Sequence, residues 1–388
     1  MIVHPGLKQG PIYLDYNATT PVDPRVIEAM LPYFTHYFGN PSSSHFYGSM
    51  AKEAVTRARG QVAQLLDCQA GEVIFTGCGS ESDALALRGV MLARREQGRH
   101  LITQVTEHPA ILKVCHMLTQ QYGCQVTYLP VDNFGRIQLA DLEAAITGQT
   151  VLISIMHANN ETGTIQPLAE IAQIARRHNV LFHTDAAQSV GKIATCVSEL
   201  GVDLLTVAGH KLYAPKGIGA LYVRQGIALE PLLYGGGQEQ GRRAGTENVA
   251  LIVALGVAAT LAREQLASSQ ERVRQLRDLL LDQLEQQLPG SIHLNGHRTE
   301  RLPNTLNVSI DGRIGEEILA ALPGLASSTG SACHEGSTEP SPVLLAMGLM
   351  RERALGALRL TLGRWSNRDE IEQVAAWIAQ VARTSSAI

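Results

Sequence analysis

No block of basic residues interrupts this chain of 388 residues, whose formal net charge is −4 and whose pI is about 6.4, so neither nucleic acid nor a membrane is an expected partner. Small molecules and proteins remain. The N-terminus, MIVHPGLKQGPIYLDYN, has no basic stretch leading into an apolar run and a small-residue cleavage site, which argues against a secretory signal. The longest apolar run, residues 250–262, is too short to cross a bilayer. Six cysteines, at positions 68, 78, 115, 124, 196 and 333, form no C-x-x-C pair and no tight framework, as expected of reduced thiols in a cytoplasmic protein. Five lie in or beside apolar segments and read as core residues. Cys333 is different, because SSTGSACHEGSTEP, residues 327–340, suits neither a helix nor a central strand. There is no internal repeat, and no metal site is expected.

What the chain has is 45% hydrophobic residues, enough to build a large domain and a smaller one. Short β-rich runs (EVIFT, HLITQV, QVTYLPV, TVLISIMH, NVLFHTDA, DLLTVAG and GALYV) alternate with amphipathic helical segments such as residues 168–178. That alternation predicts an α/β fold, a mostly parallel central sheet with helices on both faces. Chemistry in such sheets gathers at the carboxyl ends of the strands. Residues 248–287 predict one or two long helices acting as a connector. Beyond them IHLNG, TLNVSI and ALRLTLG read as strands of a smaller α+β domain. YGGGQEQGRRAGTEN, with five glycines between 235 and 246, is too Gly-rich to hold a shape unaided, so it is expected to be ordered by packing on something fixed.

Five strand ends carry candidate chemistry. Lys211, in AGHKLYAPKG, is either a solvated loop charge or, partly desolvated, an amine able to form a Schiff base with a carbonyl. Asp185, ending VLFHTD, either caps the next segment or faces a cation, as the carboxylate beside a pyridinium nitrogen does in pyridoxal phosphate enzymes. Gln188 follows it. EVIFTGCGSES gives a strand, a Gly-rich turn and a helix start, where Gly79, Ser80 and the helix dipole favour an anion. It lacks both the Lys-Ser/Thr ending of a P-loop and the third glycine of a dinucleotide fingerprint, which disfavours nucleotides. His108 ends LITQVTEH, placed to stack on a ring or shuttle a proton, and Asn160 lies in ISIMHANNETG.

In order along the chain, YLDYNATTPVDP, FGNPSSSH, TEHPAIL, MHANNETG, HTDAAQSVGK, GHKLYAPKGIGALYV, GGGQEQGRRAGT, TGSACHEGSTEPS and LRLTLGR resemble the motifs of the class V, fold-type I pyridoxal phosphate enzymes, specifically the group I cysteine desulfurases. The resemblance implies a large cofactor domain over residues 21–261, and a small domain from 1–20 and 262–388 carrying the loop 327–340. It implies that Lys211 holds pyridoxal 5'-phosphate covalently, His108 lies over the ring, Asp185 meets the ring nitrogen and Gln188 the ring hydroxyl. Gly79, Ser80 and His210 would take the phosphate, with Thr246 reaching it from the second subunit of a homodimer. Asn160, also near the cofactor, and Arg359 would hold the carboxylate of L-cysteine. Cys333 would be the nucleophile, on a tether mobile enough to pass sulfur from the pocket to an acceptor such as an iron–sulfur scaffold protein.

Departures and rivals accompany the resemblance. Cys78 and Gly79 stand where Gly-Ala is common, and Ala208 replaces a frequent Ser, so weaker cofactor binding is expected. Ala84 and Ala187 replace commoner polar residues with no evident consequence. His334 is a solvated loop side chain or, when protonated, a group that lowers the pKa of Cys333. A selenocysteine lyase or an aminotransferase of the same fold would keep Lys211 and Asp185, although transamination has no use for Cys333. A silent scaffold would keep the fold but not the cofactor set.

Overall fold

The structure, a computed structural model, describes residues 4–330 and 339–384. Cys333 and His334 lie outside the described residues. Strand β1 (Ile12–Tyr13) comes first, followed by β2 (Val73–Thr76), β3 (His100–Gln104), β4 (Gln125–Leu129), β5 (Thr150–Ser154), β6 (Leu181–Asp185), β7 (Leu204–Ala208) and β8 (Gly219–Val223). Strands β2 to β8 form one seven-stranded sheet in the order β2-β8-β7-β6-β5-β3-β4. Only β8 runs antiparallel to its neighbours, so β3, β4, β5, β6 and β7 all point the same way. Every residue of β2, β3, β5, β6, β7 and β8 is buried, while edge strand β4 is partly exposed. Such continuous apolar runs are what a sheet covered on both faces requires.

One face of the sheet packs through Phe75, Ile102, Ile153, Phe182 and Leu205 on the helices Phe46–Leu66 and Val249–Gln287. The other packs through Ile74, Leu101, Leu152 and Leu204 on the helices Gly79–Ala93 and Pro109–Tyr122. The long connector is a single helix of 39 residues. By length and composition it could cross a bilayer, but half of its most apolar window is buried inside the protein. Gly256 lets it approach the helix Phe46–Leu66 closely, since a Cβ there would stand 2.7 Å from the Ala58 Cα.

The helix's second half contributes Val273, Leu280 and Leu284 to a separate core with Leu14, Val308, Leu360 and Ile378. That core is built on β9 (Ile292–Leu294), β10 (Thr305–Ile310) and β12 (Ala357–Thr361), an antiparallel sheet ordered β12-β10-β9, beside β1 paired in parallel with β11 (Leu325–Ala326). Asp15 bridges to Thr361 and Ser328 to Arg359. These bridges bring the N-terminal segment and β12 up to the carboxyl edge of the large sheet.

Candidate active site

Because β3, β5, β6 and β7 are parallel, the residues that follow each of them emerge on one edge, and there they line a cavity of about 640 Å³. Its walls include Lys211, Asp185, His108, Gln188, Asn160 and Arg359. Gly79, Ser80 and His210 also border it, whereas exposed Thr246 does not. On either side of the segment 331–338, Gly330, Glu339 and Pro340 border the same space.

Lys211 ends the 3-10 turn Gly209–Lys211 that follows β7. The turn is pinned where the Thr20 N–H and Oγ1 both donate to the His210 carbonyl at 2.9 Å. Burial lowers the Lys211 pKa, Asp185 raises it, Arg359 lowers it and Asp83 raises it. A depressed amine is the more nucleophilic one. Asp185 does cap the turn after β6, since its Oδ1 accepts from the Ala187 N–H at 2.8 Å, and it also faces the cavity. His108 caps the helix Pro109–Tyr122, with Nδ1 accepting from the Ala110 N–H at 3.1 Å. The neutral ring therefore carries its proton on Nε2. Burial and then Lys211 push its pKa down, with Asp185 opposing.

The helix Gly79–Ala93 opens at the cavity. Gly79 packs so tightly on β7 that a Cβ would stand 3.0 Å from the Ala208 Cβ. The core reading of Cys78 is corrected: it is exposed, borders the cavity, and caps the helix through Sγ accepting from the Glu81 N–H at 3.4 Å. Cys115 and Cys124 are buried, and Cys68 and Cys196 are half-buried. His210 Nδ1 lies 3.2 Å from Thr19 Oγ1, and burial, then Lys211, push its pKa down to about 4.

Arg359 comes from β12 and is 3% exposed. Its Nη2 donates to Asp15 Oδ1 at 2.8 Å and Nη1 to the Asn160 carbonyl at 3.4 Å, while Nε is buried without a partner. Asn160 and Arg359 are thus adjacent. The Gly-rich segment is ordered, as expected, by packing on fixed elements, here those of its own chain. Arg59 forks onto Glu239 at 2.6 and 2.7 Å, Glu239 also accepts from the Phe75 N–H at 3.0 Å, and Arg243 donates to Glu81 at 2.8 Å.

Four cavity residues escaped the sequence reading. Asp83 is buried with Oδ1 unpartnered, and burial followed by Asp185 raises its pKa. Glu107 accepts from the Met156 N–H at 2.7 Å and is likewise raised by burial. Glu161 accepts from the Ser341 hydroxyl and is pushed up to about 7 by burial. Asn17 holds Asn160 and Gln188, donating to the Asn160 carbonyl at 3.1 Å and accepting from Gln188 Nε2 at 3.0 Å. Each stands beside or within a motif already singled out, GCGSES, TEH, NNETG or LDYN, so the signal was adjacency.

The donor set fits pyridoxal phosphate. It offers a buried amine, a carboxylate for a ring nitrogen, an imidazole, an amide, and a helix N-terminus opened by a glycine with no room for a side chain. Asp83 Oδ1 and Arg359 Nε are buried polar atoms without partners at the same cavity, as expected of a cavity built for a polar group. Among the described residues no group of three His, Cys, Asp or Glu is placed to hold a metal.

Residues 12–374 match the family model described as Aminotransferase class-V. The chain is 48% identical to a cysteine desulfurase of Trichormus azollae, covering 97% of this chain and 94% of that one. It is 46% identical to the cysteine desulfurase IscS of Methanosarcina thermophila, over 96% and 92%. Among solved structures, a NifS-like protein superposes with a TM-score of 0.90 at 36% identity, over 96% and 99% of the two chains. SspA in complex with cysteine gives 0.80 at 38%, over 92% and 99%.

Proposed function

The chain belongs to the class-V aminotransferase family and is a cysteine desulfurase dependent on pyridoxal phosphate, and from that premise we propose how its own residues divide the work. The observation that carries the assignment is the meeting of Lys211, Asp185, His108 and Gln188, from three parallel strands, with Arg359 from the other core at one cavity. When bound, the cofactor supplies an electron sink for the carbon skeleton of the substrate. Lys211 would hold it, with Asp185 toward the ring nitrogen, Gln188 toward the ring oxygen, and Gly79, Ser80 and His210 toward the phosphate. Arg359 and Asn160 orient the substrate carboxylate, because a guanidinium fork matches its two oxygens. Lys211 and His108, both held toward their neutral forms, take and return protons at the substrate Cα and sulfur. Cys333 takes the sulfur as a persulfide, and alanine leaves. The direct experiment is a single turnover with L-cysteine, in which alanine and bound persulfide rise together in equal amounts; alanine without persulfide would contradict the reading.

Arg359→Ala is expected to lower kcat/KM for L-cysteine by about 10- to 100-fold, the loss of charged hydrogen bonds, chiefly through KM. It also leaves the Asp15 carboxylate facing the substrate's own. Arg359→Lys keeps the charge but not the fork and should recover only part. An unchanged KM in both variants would remove Arg359 from the substrate site.

The same reading makes the protein a cytoplasmic homodimer that passes sulfur to an acceptor such as an iron–sulfur scaffold. What supports the dimer is a cluster of exposed aromatics, Phe38, Phe46 and Tyr47, that are 65%, 72% and 52% exposed, Phe38 stacking on Tyr47 at 5.3 Å and Phe46 meeting it edge-on at 5.5 Å. Uncovered, such a patch invites association. Exposed Thr246, outside its own chain's cavity, is then a partner's phosphate ligand. Mixing Lys211→Ala with Thr246→Ala subunits should form heterodimers with one intact site and recover cofactor retention. A fully active monomer, or no recovery, would refute sharing.

A further inference from the structure

Lys192, in the SVGK of the β6 motif, has no part in the chemistry described above. It sits in the tight turn that follows β6, where its N–H donates to the Ser189 carbonyl at 2.9 Å. Gly191 sets its position, having a φ of +76° and no space for a side chain, since a Cβ would stand 2.2 Å from Leu212 Cδ1. The Lys192 ammonium reaches two neutral oxygens, Gln188 Oε1 at 2.9 Å and Asn17 Oδ1 at 3.1 Å. Among the described residues it forms no ion pair. The charged or titratable groups facing it are cations or potential cations: Lys211 and His210 from the turn after β7, and Arg359 from β12. A shielded ammonium held only by amide oxygens is costly, and burial, then Lys211 and Arg359, pushes its pKa well below the ordinary lysine range.

The contacts leave the Gln188 amide one orientation. As an ammonium Lys192 can only donate, and the Asn17 backbone carbonyl can only accept, so Oε1 faces Lys192 and Nε2 faces Asn17, which it meets at 3.0 Å. Nε2 carries a second N–H, and Gln188 borders the cavity. We infer that Lys192 is a positioning residue for Gln188, locking its amide so that an N–H and not an oxygen is offered to the ring oxygen of the bound cofactor. The inference rests on the cofactor reading given above. Without Lys192, Oε1 loses its donor and the amide is held by the Asn17 carbonyl alone, so its N–H is offered less firmly to the ring oxygen.

A donated N–H stabilises an anionic ring oxygen and so disfavours the proton on the neighbouring linkage to Lys211. Lys192→Met in the loaded enzyme should therefore move the pH midpoint of the cofactor's visible absorption upward by about one unit. On a Gln188→Leu background the same substitution should move it by less than half as much, because the amide through which it acts is gone. A midpoint unchanged in Lys192→Met overturns the proposal, as does an equal shift on the Gln188→Leu background. Should Lys192→Met fail to fold or load, Lys192→Gln takes its place under the same outcomes, since its amide can present either end and no longer dictates orientation. Wild-type protein that takes up no cofactor would instead bring down the underlying reading, and the inference with it. An invariant midpoint in a loaded variant strikes the inference alone.

Discussion

Lys211→Ala is expected to leave a folded protein without the visible absorption of bound cofactor and with turnover reduced at least about 10³-fold. The turn that carries it is held by the Thr20 contacts to the His210 carbonyl and not by the lysine side chain, so the backbone has no reason to collapse. The second lysine nearby does not substitute, because the Lys192 ammonium is engaged by Gln188 and Asn17. What changes is charge. Asp83 and Asp185 interact with Lys211 across the cavity, and with it gone the raised Asp83 carboxyl holds its proton more firmly still. Circular dichroism and absorbance of the purified variant decide the matter. A normal band with normal turnover would refute the assignment.

The parts of this molecule that were legible in the sequence are those that local chemistry determines. The seven β-rich runs could be read because a doubly covered strand must be apolar throughout, and the end of each run then located Asp185, His108, Asn160 and Lys211. Parallelism did the rest, since strands that point one way deliver their ends to one edge. Asp83 and Glu107 were not legible because a carboxylate one turn into a helix, or one residue before His108, looks like any solvated charge until tertiary packing buries it. Asn17 was harder still. Its partners Asn160, Gln188, Asn304 and Lys192 come from segments more than 100 residues away, and no local pattern announces them. The Gly-rich segment was legible only as needing a fixed partner: composition records the flexibility of an isolated loop, but not that Arg59 and Glu81 on other elements hold Glu239 and Arg243. Cys78 was misjudged by its apolar neighbours Phe75 and Ile74, which are buried on the strand, whereas the chain turns at Gly77 and sets the thiol at the cavity.

Cys333→Ser separates holding the substrate from taking its sulfur. The groups assigned to the cofactor and to the substrate carboxylate all lie among the described residues, on β6, β12, the helix Gly79–Ala93 and the segments that follow β3, β5, β6 and β7, so the variant should load cofactor normally and change its absorption when L-cysteine is added. Persulfide should be absent, and alanine formation should fall at least about 10³-fold, because a serine hydroxyl is far less nucleophilic toward sulfur than a thiolate. Cys78 gives this test its control. It is the one thiol at the cavity among the described residues, at 3.4 Å from the Glu81 N–H that it caps, on a helix end and not on the segment between Gly330 and Glu339. Cys78→Ser should therefore keep single-turnover persulfide near the wild-type amount and leave stability intact, since a serine hydroxyl is a preferred N-cap acceptor. Were the two results exchanged, with sulfur lost in Cys78→Ser and kept in Cys333→Ser, the acceptor thiol would be the one that caps the helix.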